Sequence, residues 1–165
     1  MQLAKQVGEY LVAAELCRRE LIATTFTGNV PDYDLVAISE DGERVLVQVK
    51  ALRGGSWQFR DARVFLDITQ KGKIQVPGRP TTPRYPDLMC VFVLLDSYGK
   101  DRFFVLKWVD LQLLVARLYR AYLKRVGGIR PRKHKSYHVG IGPSDLAKYE
   151  NRWEVIEELV ASPRE

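Results

Sequence analysis

The chain has 165 residues, 46% of them hydrophobic, and a formal net charge of +6. This length and hydrophobic content suit one folded domain with a buried core, so we expect a single domain over residues 1–165. No apolar run approaches the length of a membrane span, and the first residues lack the apolar block of a signal peptide. Both observations argue against a membrane or secreted protein and predict a cytoplasmic one.

The first predicted element is a helix over residues 3–19, rich in Ala, Leu and Glu. Three apolar residues follow Glu9 at helical spacing, namely Val12, Ala13 and Leu16. The Glu9 carboxylate is therefore expected on an apolar stripe, where burial without a cation, a metal ion or a proton nearby would be costly. The alternative is that Glu9 only borders the stripe and reaches solvent. A first strand is predicted to follow over residues 22–26.

A hairpin is predicted next, with strands over residues 33–38 and 45–50. Each strand carries a polar residue on a face that is otherwise apolar, Asp34 in the first and Gln48 in the second. A two-residue loop would put these side chains on opposite faces of the hairpin. A three-residue loop that ends at Gly42, in the left-handed conformation of a bulge, pairs Asp34 with Gln48 directly. Glycine at that position favours the three-residue loop.

Residues 53–86 give the weakest pattern, with a short strand predicted over 64–67 and turn-rich sequence towards the end. Trp57 and Phe59 alternate at strand spacing. They suit either stacking against nucleic-acid bases or packing on the protein core, and we favour the core. The arginines nearby favour phosphate contact.

Regular structure is predicted again from residue 88. The apolar run over 88–95 is typical of a central buried strand, and a turn leads from it into a second strand over 102–108, which completes a hairpin. A helix is then predicted over 110–124, ended by two glycines, and a final helical region from Ser144 onwards. Cys17 and Cys90 lie within apolar patterns and are predicted to be buried free thiols.

The positive charge is concentrated in one part of the chain. Between Asp110 and Asp145 the sequence has no acidic residue but eight basic ones, so the rest of the chain has a formal charge of about −2. A solvated helix face would explain the part up to Arg125. The basic loop around residues 124–138 is more typical of a surface that contacts a phosphate backbone, although an acidic protein partner would also fit.

The order of polar residues in the first third of the chain resembles the PD-(D/E)XK nuclease superfamily. The resemblance rests on Glu9 in the opening helix, Asp34 in the segment that begins at Pro31, and Gln48 and Lys50 in the second strand of the hairpin. It covers about residues 1–52 and is closest to the Holliday-junction-resolvase-like branch and to a homing endonuclease that carries Gln-x-Lys. It implies an α/β, restriction-endonuclease-like fold with an αβββαβ core and a mixed central sheet, here with an extra β-hairpin and C-terminal helices.

The resemblance also implies a function and the roles of the site residues. The protein would be a DNA endonuclease that hydrolyses phosphodiester bonds with Mg²⁺, or with Mn²⁺ in its place. Asp34 would be the central metal ligand, joined by Glu9, the side chain of Gln48 and the backbone carbonyl of Val49. Lys50 would orient the attacking water and stabilise the charge that develops on the phosphate.

Two features of this site leave alternatives open. Gln48 stands where the family usually has an acidic residue, which removes a negative charge but keeps a carbonyl oxygen that can ligate a cation. A catalytically inactive nucleic-acid-binding protein on the same scaffold is therefore the alternative function. Asp32, directly after Pro31, competes with Asp34 for the central position, and we favour Asp34 because it is predicted to lie on the strand.

DNA is the expected partner, duplex or branched, and no membrane partner is expected. A homodimer is expected because nucleases that cut two strands often act as symmetric pairs. The residues predicted to contact nucleic acid lie after the hairpin and in the basic stretch: Arg53, Ser56, Arg60, Lys124, Arg125, Arg130, Arg132, Lys133 and Lys135. Among them, the resemblance places Ser56 at a phosphate near the metal.

Overall fold

The computed structural model describes residues 2–26 and 31–161, with the side chain of residue 2 left outside the description. Within these residues the α-helices are α1 (Gln2–Cys17), α2 (Trp108–Arg125) and α3 (Glu154–Ala161). The strands are β1 (Ile22–Thr25), β2 (Leu35–Ile38), β3 (Arg44–Leu52), β4 (Trp57–Phe59), β5 (Leu66–Lys71), β6 (Ile74–Pro80), β7 (Met89–Leu94), β8 (Arg102–Lys107) and β9 (Val139–Ile141). Short 3₁₀ segments cover Ala62–Val64 and Pro143–Tyr149.

The described residues form two compact units. The first unit takes the described parts of 1–55, 87–108 and 146–165, and the second unit takes 56–86 and 109–145. Each unit has its own strands, since the large sheet belongs to the first and the small two-stranded sheets to the second. The expectation of one domain over the whole chain stays a prediction.

The first unit is built on a five-stranded mixed sheet in the order β1-β2-β3-β7-β8. The strands β1, β2 and β3 are antiparallel, β3 and β7 are parallel, and β7 and β8 form the predicted hairpin. The sequence of β7 is apolar throughout because both faces of this strand are covered, and five of its six residues are buried. The predicted central strand and mixed sheet are thus confirmed.

Helix α1 packs closely on β3 at Gly8. A Cβ atom added at Gly8 would lie 2.3 Å from the Cβ of Ala51, so only glycine allows this approach of helix to strand. The core beneath contains Val12 and Leu16 from α1 and the alternate residues of β3 that begin at Val45. This packing fixes the position of the Glu9 turn of α1 relative to the β2–β3 hairpin.

The β2–β3 hairpin has the predicted three-residue loop. The register pairs Leu35 with Val47 and Ile38 with Arg44, and Gly42 at the end of the loop has a φ angle of +85°. Its N–H donates to the carbonyl of Ser39 at 3.0 Å, which closes the turn. This register continues towards Asp34 opposite Gln48, as the sequence predicts, although the regular pairing ends one residue earlier.

The second unit joins β4 to β9 and β5 to β6 in antiparallel pairs. A buried glutamine connects its parts: Gln75 donates from Nε2 to the carbonyls of His134 at 2.7 Å and Ser136 at 3.0 Å, and its Oε1 accepts from the Tyr119 hydroxyl at 2.5 Å. Trp57 is 4% exposed. Its burial supports the prediction that the aromatic residues of this segment pack on the protein core.

Several sequence predictions need correction here. The strand predicted over 64–67 is the 3₁₀ segment Ala62–Val64 followed by β5. The β5–β6 hairpin was not predicted, because in β6 the apolar Ile74 and Val76 are exposed while the polar Gln75 is buried. The final helical region is first a 3₁₀ segment, and α3 begins only at Glu154. Cys17 is exposed rather than buried, because it ends α1, whereas Cys90 is buried as predicted.

The strict αβββαβ order stays a prediction. The opening helix, the three antiparallel strands and the C-terminal helices are present. Between β3 and β7, however, the described chain has β4, a 3₁₀ segment and the β5–β6 hairpin, where that order has its middle helix.

Candidate active site and nucleic-acid contacts

Asp34 lies immediately before β2, rather than within a strand beginning at residue 33 as the sequence predicted. Its backbone N–H donates to the carbonyl of Val47 at 2.9 Å, while its side-chain Oδ2 accepts the N–H of Val49 at 2.8 Å. The carboxylate thus takes over the role of a backbone acceptor where the β2–β3 pairing ends. This arrangement fixes the Asp34 side chain against the middle of β3, where it is only 13% exposed.

A lysine joins Asp34 to Glu9. The ammonium of Lys5 lies 3.0 Å from Asp34 Oδ1 and 3.4 Å from Glu9 Oε1, so one cation bridges the two predicted metal ligands. The Glu9 side chain is 16% exposed, and its neighbour one turn earlier therefore supplies the cation that a largely buried carboxylate requires. The hydrogen bond to Asp34, together with the charges of both carboxylates, raises the pKa of Lys5.

Sequence reasoning missed Lys5. The signal was present, because Lys5 and Glu9 are four residues apart and such pairs face each other on a helix. The contact between Lys5 and Asp34 joins residues far apart in the chain and has no local signature. We name Lys5, Glu9 and Asp34 the carboxylate cluster.

The remaining predicted site residues follow one another on β3. The amide Nε2 of Gln48 donates to the backbone carbonyl of Asp32 at 3.0 Å. In the parallel register with β7, Gln48 pairs with Cys90 and Lys50 with Phe92. Lys50 and Gln48 are half-buried and share the face of β3 opposite to Val49, which is buried in the core.

The charges of Lys50 and Asp34 affect the pKa of the buried thiol of Cys90. Burial raises the pKa of Cys90 to about 12, and the nearby charge of Lys50 lowers this pKa while that of Asp34 raises it. Asp34 and Lys50 therefore both lie within electrostatic reach of the same atom. The structure thus brings these two predicted site residues into one neighbourhood, although Lys50 reaches it from β3 and Asp34 from the start of β2.

Asp32, the competing candidate, is placed differently. It is exposed and has a φ angle of +76°, and its backbone carbonyl rather than its carboxylate receives the Gln48 amide. The ion pairs of the carboxylate cluster involve Asp34 instead. The geometry favours Asp34 over Asp32.

The donor set fits a hard divalent cation only in part. Two carboxylates converge on a common cationic atom, which is the chemistry that Mg²⁺ prefers. Among the described residues, however, no group of three or more His, Cys, Asp and Glu side chains could hold a metal. A metal at this place would therefore need the amide oxygen of Gln48, a backbone carbonyl or water to complete its ligands.

Most of the predicted nucleic-acid contacts are on the surface. Arg53, Ser56 and Arg60 are exposed after β3, and the Ser56 hydroxyl accepts from the Gln58 amide at 2.5 Å. The basic residues of the later stretch that are exposed are Lys124, Arg125, Arg132, Lys133 and Lys135. These side chains can present their charge to a phosphate backbone.

Arg130 is the exception, since it is only 8% exposed. Its Nη2 donates to the carbonyl of His138, and its guanidinium lies over the rings of Tyr119 and Tyr122. Sequence reasoning treated Arg130 as one of several loop cations because the residues that bury it come from α2 and β9. Its predicted contact with nucleic acid would therefore take place in a recess and not on the open surface.

A comparison with solved structures finds a bacterial homing endonuclease, I-Ssp6803I. The two chains are 14% identical, with a TM-score of 0.54, and the match covers 100% of this chain and 98% of the other. The likeness shows a shared fold. It agrees with the nuclease-like fold that the sequence predicts. The chain matches no protein-family model and no curated protein sequence.

One further absence is relevant to the partner. Within the part of the chain that the structure describes, no helix combines the length and apolar character needed to cross a membrane.

Proposed function

We propose that this protein is a metal-dependent DNA endonuclease of the PD-(D/E)XK type, which hydrolyses phosphodiester bonds. The observation that carries the proposal is the convergence of the Glu9 and Asp34 carboxylates on one cationic atom, beside the strand that bears Gln48 and Lys50. The shared fold with a homing endonuclease supports it.

Each of the proposed site residues would have a separate role in the hydrolysis. Glu9 and Asp34, with the Gln48 amide oxygen and the Val49 carbonyl, would hold Mg²⁺ or Mn²⁺. The bound ion would polarise the scissile phosphate and lower the pKa of a bound water. Lys50 would orient the attacking water and stabilise negative charge on the phosphate by its own positive charge. Each of these groups is positioned by the β2–β3 hairpin or by the turn of α1 that Gly8 holds against it.

Lys5 would have to leave its position when a metal binds. Its ammonium lies between the two carboxylates, and a second cation cannot share that place without strong repulsion. The side chain is 55% exposed and its four-carbon stem is flexible, so the ammonium can move into solvent. In the absence of metal, Lys5 offsets the repulsion between Glu9 and Asp34 and keeps them together.

The hydrogen bond of Gln48 supports its role as a neutral ligand. An amide has a donor end and an acceptor end, and here the donor end is used by the carbonyl of Asp32. The oxygen is then the end that can ligate a cation. The proposed substrate is DNA, duplex or branched, and the proposed active form is a homodimer.

A second function is a nucleic-acid-binding protein that does not cleave. The observation that favours it is the small acidic donor set, because Gln48 contributes no charge and the described residues contain no third acidic ligand at this place. Binding would then depend on the exposed basic residues alone.

Cleavage of a DNA panel distinguishes the two functions. Plasmid, linear duplex, single-stranded and four-way-junction DNA are incubated with the protein and Mg²⁺ or Mn²⁺, with a chelator as a control. Lys50→Ala is run beside Lys107→Ala, which removes a half-buried lysine from β8 of the same sheet. The endonuclease predicts cuts that the chelator and Lys50→Ala abolish and that Lys107→Ala retains. Salt-dependent binding with no cut on any substrate would instead support the binding protein.

A further inference from the structure

A cleft in the second unit has an unusual charge environment. It encloses about 650 Å³ between α2 and β9. The charged and aromatic side chains that line it are Tyr119, Tyr122, Arg125, Arg130 and His138. The other lining residues are apolar or glycine, so none of the described residues around the cleft is acidic.

Arg130 is the buried cation of this cleft. Its Nη2 donates to the carbonyl of His138, and its guanidinium carbon lies 4.8 Å from the centre of the Tyr122 ring. Its Nε is buried and has no hydrogen-bond partner in the part of the chain that the structure describes. A guanidinium has five N–H donors in a planar fork, so this arrangement leaves donor capacity that the protein does not use.

Among the described residues that line the cleft, none is acidic and could neutralise this charge. Burial raises the pKa of the Tyr119 hydroxyl, against the opposing effect of Arg130, and this hydroxyl donates to Gln75. A buried arginine is normally paired with a carboxylate, because the cost of removing its charge from water is large. Here the aromatic rings and one carbonyl offset that cost only in part. An anion from outside the chain would complete the site.

The position of Arg130 is fixed in advance of binding. The carbonyl of Arg130 lies 2.6 Å from Nδ1 of His134, and the carbonyl of His134 accepts from Gln75. Gln75 also accepts from Tyr119, which lines the cleft. This network holds the basic loop against α2, so binding would not need to order Arg130 first.

We infer that this cleft binds a phosphate group, with Arg130 as the inner ligand and Arg125 at the exposed rim. The fork of a guanidinium matches the oxygens of a phosphate, and Arg125 adds a second cation on the same side of the helix. The inference deepens the proposed function, on which it rests for the source of the phosphate in a DNA backbone. A free phosphate or a nucleotide would offer the same chemistry.

The test uses the whole protein without metal, so that a failure of cleavage does not affect it. Inorganic phosphate, a nucleoside monophosphate and a duplex oligonucleotide are titrated while the side-chain Nε–H signals of arginine are followed by NMR. Arg130→Lys keeps the charge but loses the fork, and Arg125→Gln changes only an exposed residue. Arg117→Gln on the same helix is the matched control, since Arg117 is exposed and does not line the cleft.

The inference predicts a shift of the Arg130 Nε–H signal at millimolar phosphate, an affinity about tenfold weaker in both Arg130→Lys and Arg125→Gln, and no change in Arg117→Gln. Displacement of inorganic phosphate by the oligonucleotide identifies the backbone as the source, and displacement by the monophosphate alone identifies a free ligand. If Arg130→Lys does not fold, the wild-type signal and Arg125→Gln still decide. An Arg130 signal that none of the three probes shifts would overturn the inference.

Discussion

The carboxylate cluster of the first unit and the cleft of the second unit differ in whether their charged side chains have partners of opposite charge. In the cluster, the ammonium of the exposed Lys5 lies within 3.4 Å of both carboxylates, so the two largely buried acids have a cationic partner. In the cleft, Arg130 is only 8% exposed, yet the described residues that line the cleft include no carboxylate. Without a ligand, the carboxylates of the cluster already have a cationic partner, whereas Arg130 has no anionic partner among the described residues of the cleft.

This difference has a consequence for binding. A metal at the cluster must compete with a resident cation, so its affinity is lowered by the cost of displacing Lys5. A phosphate at the cleft meets a positioned guanidinium that no internal anion occupies. The two regions are therefore expected to respond in opposite directions when a positive charge is removed: loss of Lys5 favours the ligand, and loss of Arg130 disfavours it.

The largest effect is expected at Glu9. Glu9→Gln keeps the shape of the side chain but removes one of the two charges that would hold the metal, and we expect cleavage to fall at least about 100-fold. Glu15→Gln is the matched control on the same helix, where Glu15 pairs with Arg18 and Arg19. Initial rates on the preferred DNA substrate measure both. Equal losses in the two variants would show that α1 charges act through stability and not through the site.

The exposed part of the basic loop is expected to give the next effect. Replacing Arg132, Lys133 and Lys135 with alanine should weaken DNA binding about 10- to 100-fold near physiological salt and reduce the slope of log affinity against log salt by about three. The charge-conserving exchange of the same residues between arginine and lysine is the control and should keep the slope. A salt slope that does not change in the alanine variant would exclude these side chains from the interface.

Lys5 gives a smaller effect of opposite sign. Lys5→Met should raise the affinity for Mn²⁺ up to about fivefold, because an ion pair with an exposed lysine contributes about 0.2–1 kcal/mol and the metal no longer has to displace it. Lys5→Arg keeps the charge and should stay close to wild type. Calorimetric titration with Mn²⁺ measures both variants. Weaker binding in Lys5→Met would mean that the ammonium positions the carboxylates more than it competes.

The smallest effect concerns an ion pair outside both regions. Arg102 donates to both carboxylate oxygens of Glu150, at 2.7 and 2.8 Å, and this hydrogen bonding lowers the pKa of Glu150. A lowered pKa stabilises the fold above the ordinary value near 4.5 and loses that contribution as the pH falls through the folded-state value.

Because the pair is partly exposed, Arg102→Ala should cost at most about 1 kcal/mol of unfolding free energy at pH 7 and less at pH 2, where the contact of Arg102 with the Phe104 ring is the part that remains. Urea unfolding from pH 7 to pH 2 measures the difference. A difference between variant and wild type that stays constant over this range would contradict the ion-pair explanation.

Local chemistry explains what the sequence predicted well. The hairpin register follows from Gly42, which can take the left-handed conformation that the three-residue loop needs. The central strand follows from the apolar run of β7, and the low exposure of Glu9 follows from its helical spacing to apolar residues. These predictions needed only neighbours in sequence or the alternation of one strand.

Contacts between separate structural elements explain what the sequence did not predict. The pairing of Lys5 with Asp34 joins residues that are distant in the chain. Tyr119, Tyr122 and His138 lie nearer to Arg130 in sequence, but their contacts with it depend on how the basic loop lies against α2, which no periodic pattern shows. Asp34 was expected on a strand, but its side chain bonds to β3 where the strand would otherwise continue. In β6 of the β5–β6 hairpin, the apolar Ile74 and Val76 are exposed while the polar Gln75 is buried, so the apolar pattern did not reveal this strand.

If the carboxylate cluster is a metal-dependent nuclease site, two neighbouring aspartates should behave differently. Asp34→Asn and Asp32→Asn each replace one carboxylate with an amide of the same shape, yet only Asp34 belongs to the cluster. Cleavage of the preferred DNA substrate is measured for both, together with Mn²⁺ binding. We expect Asp34→Asn to lose cleavage and Mn²⁺ binding, and Asp32→Asn to keep most of both. Full cleavage by Asp34→Asn, or loss in Asp32→Asn alone, would contradict it.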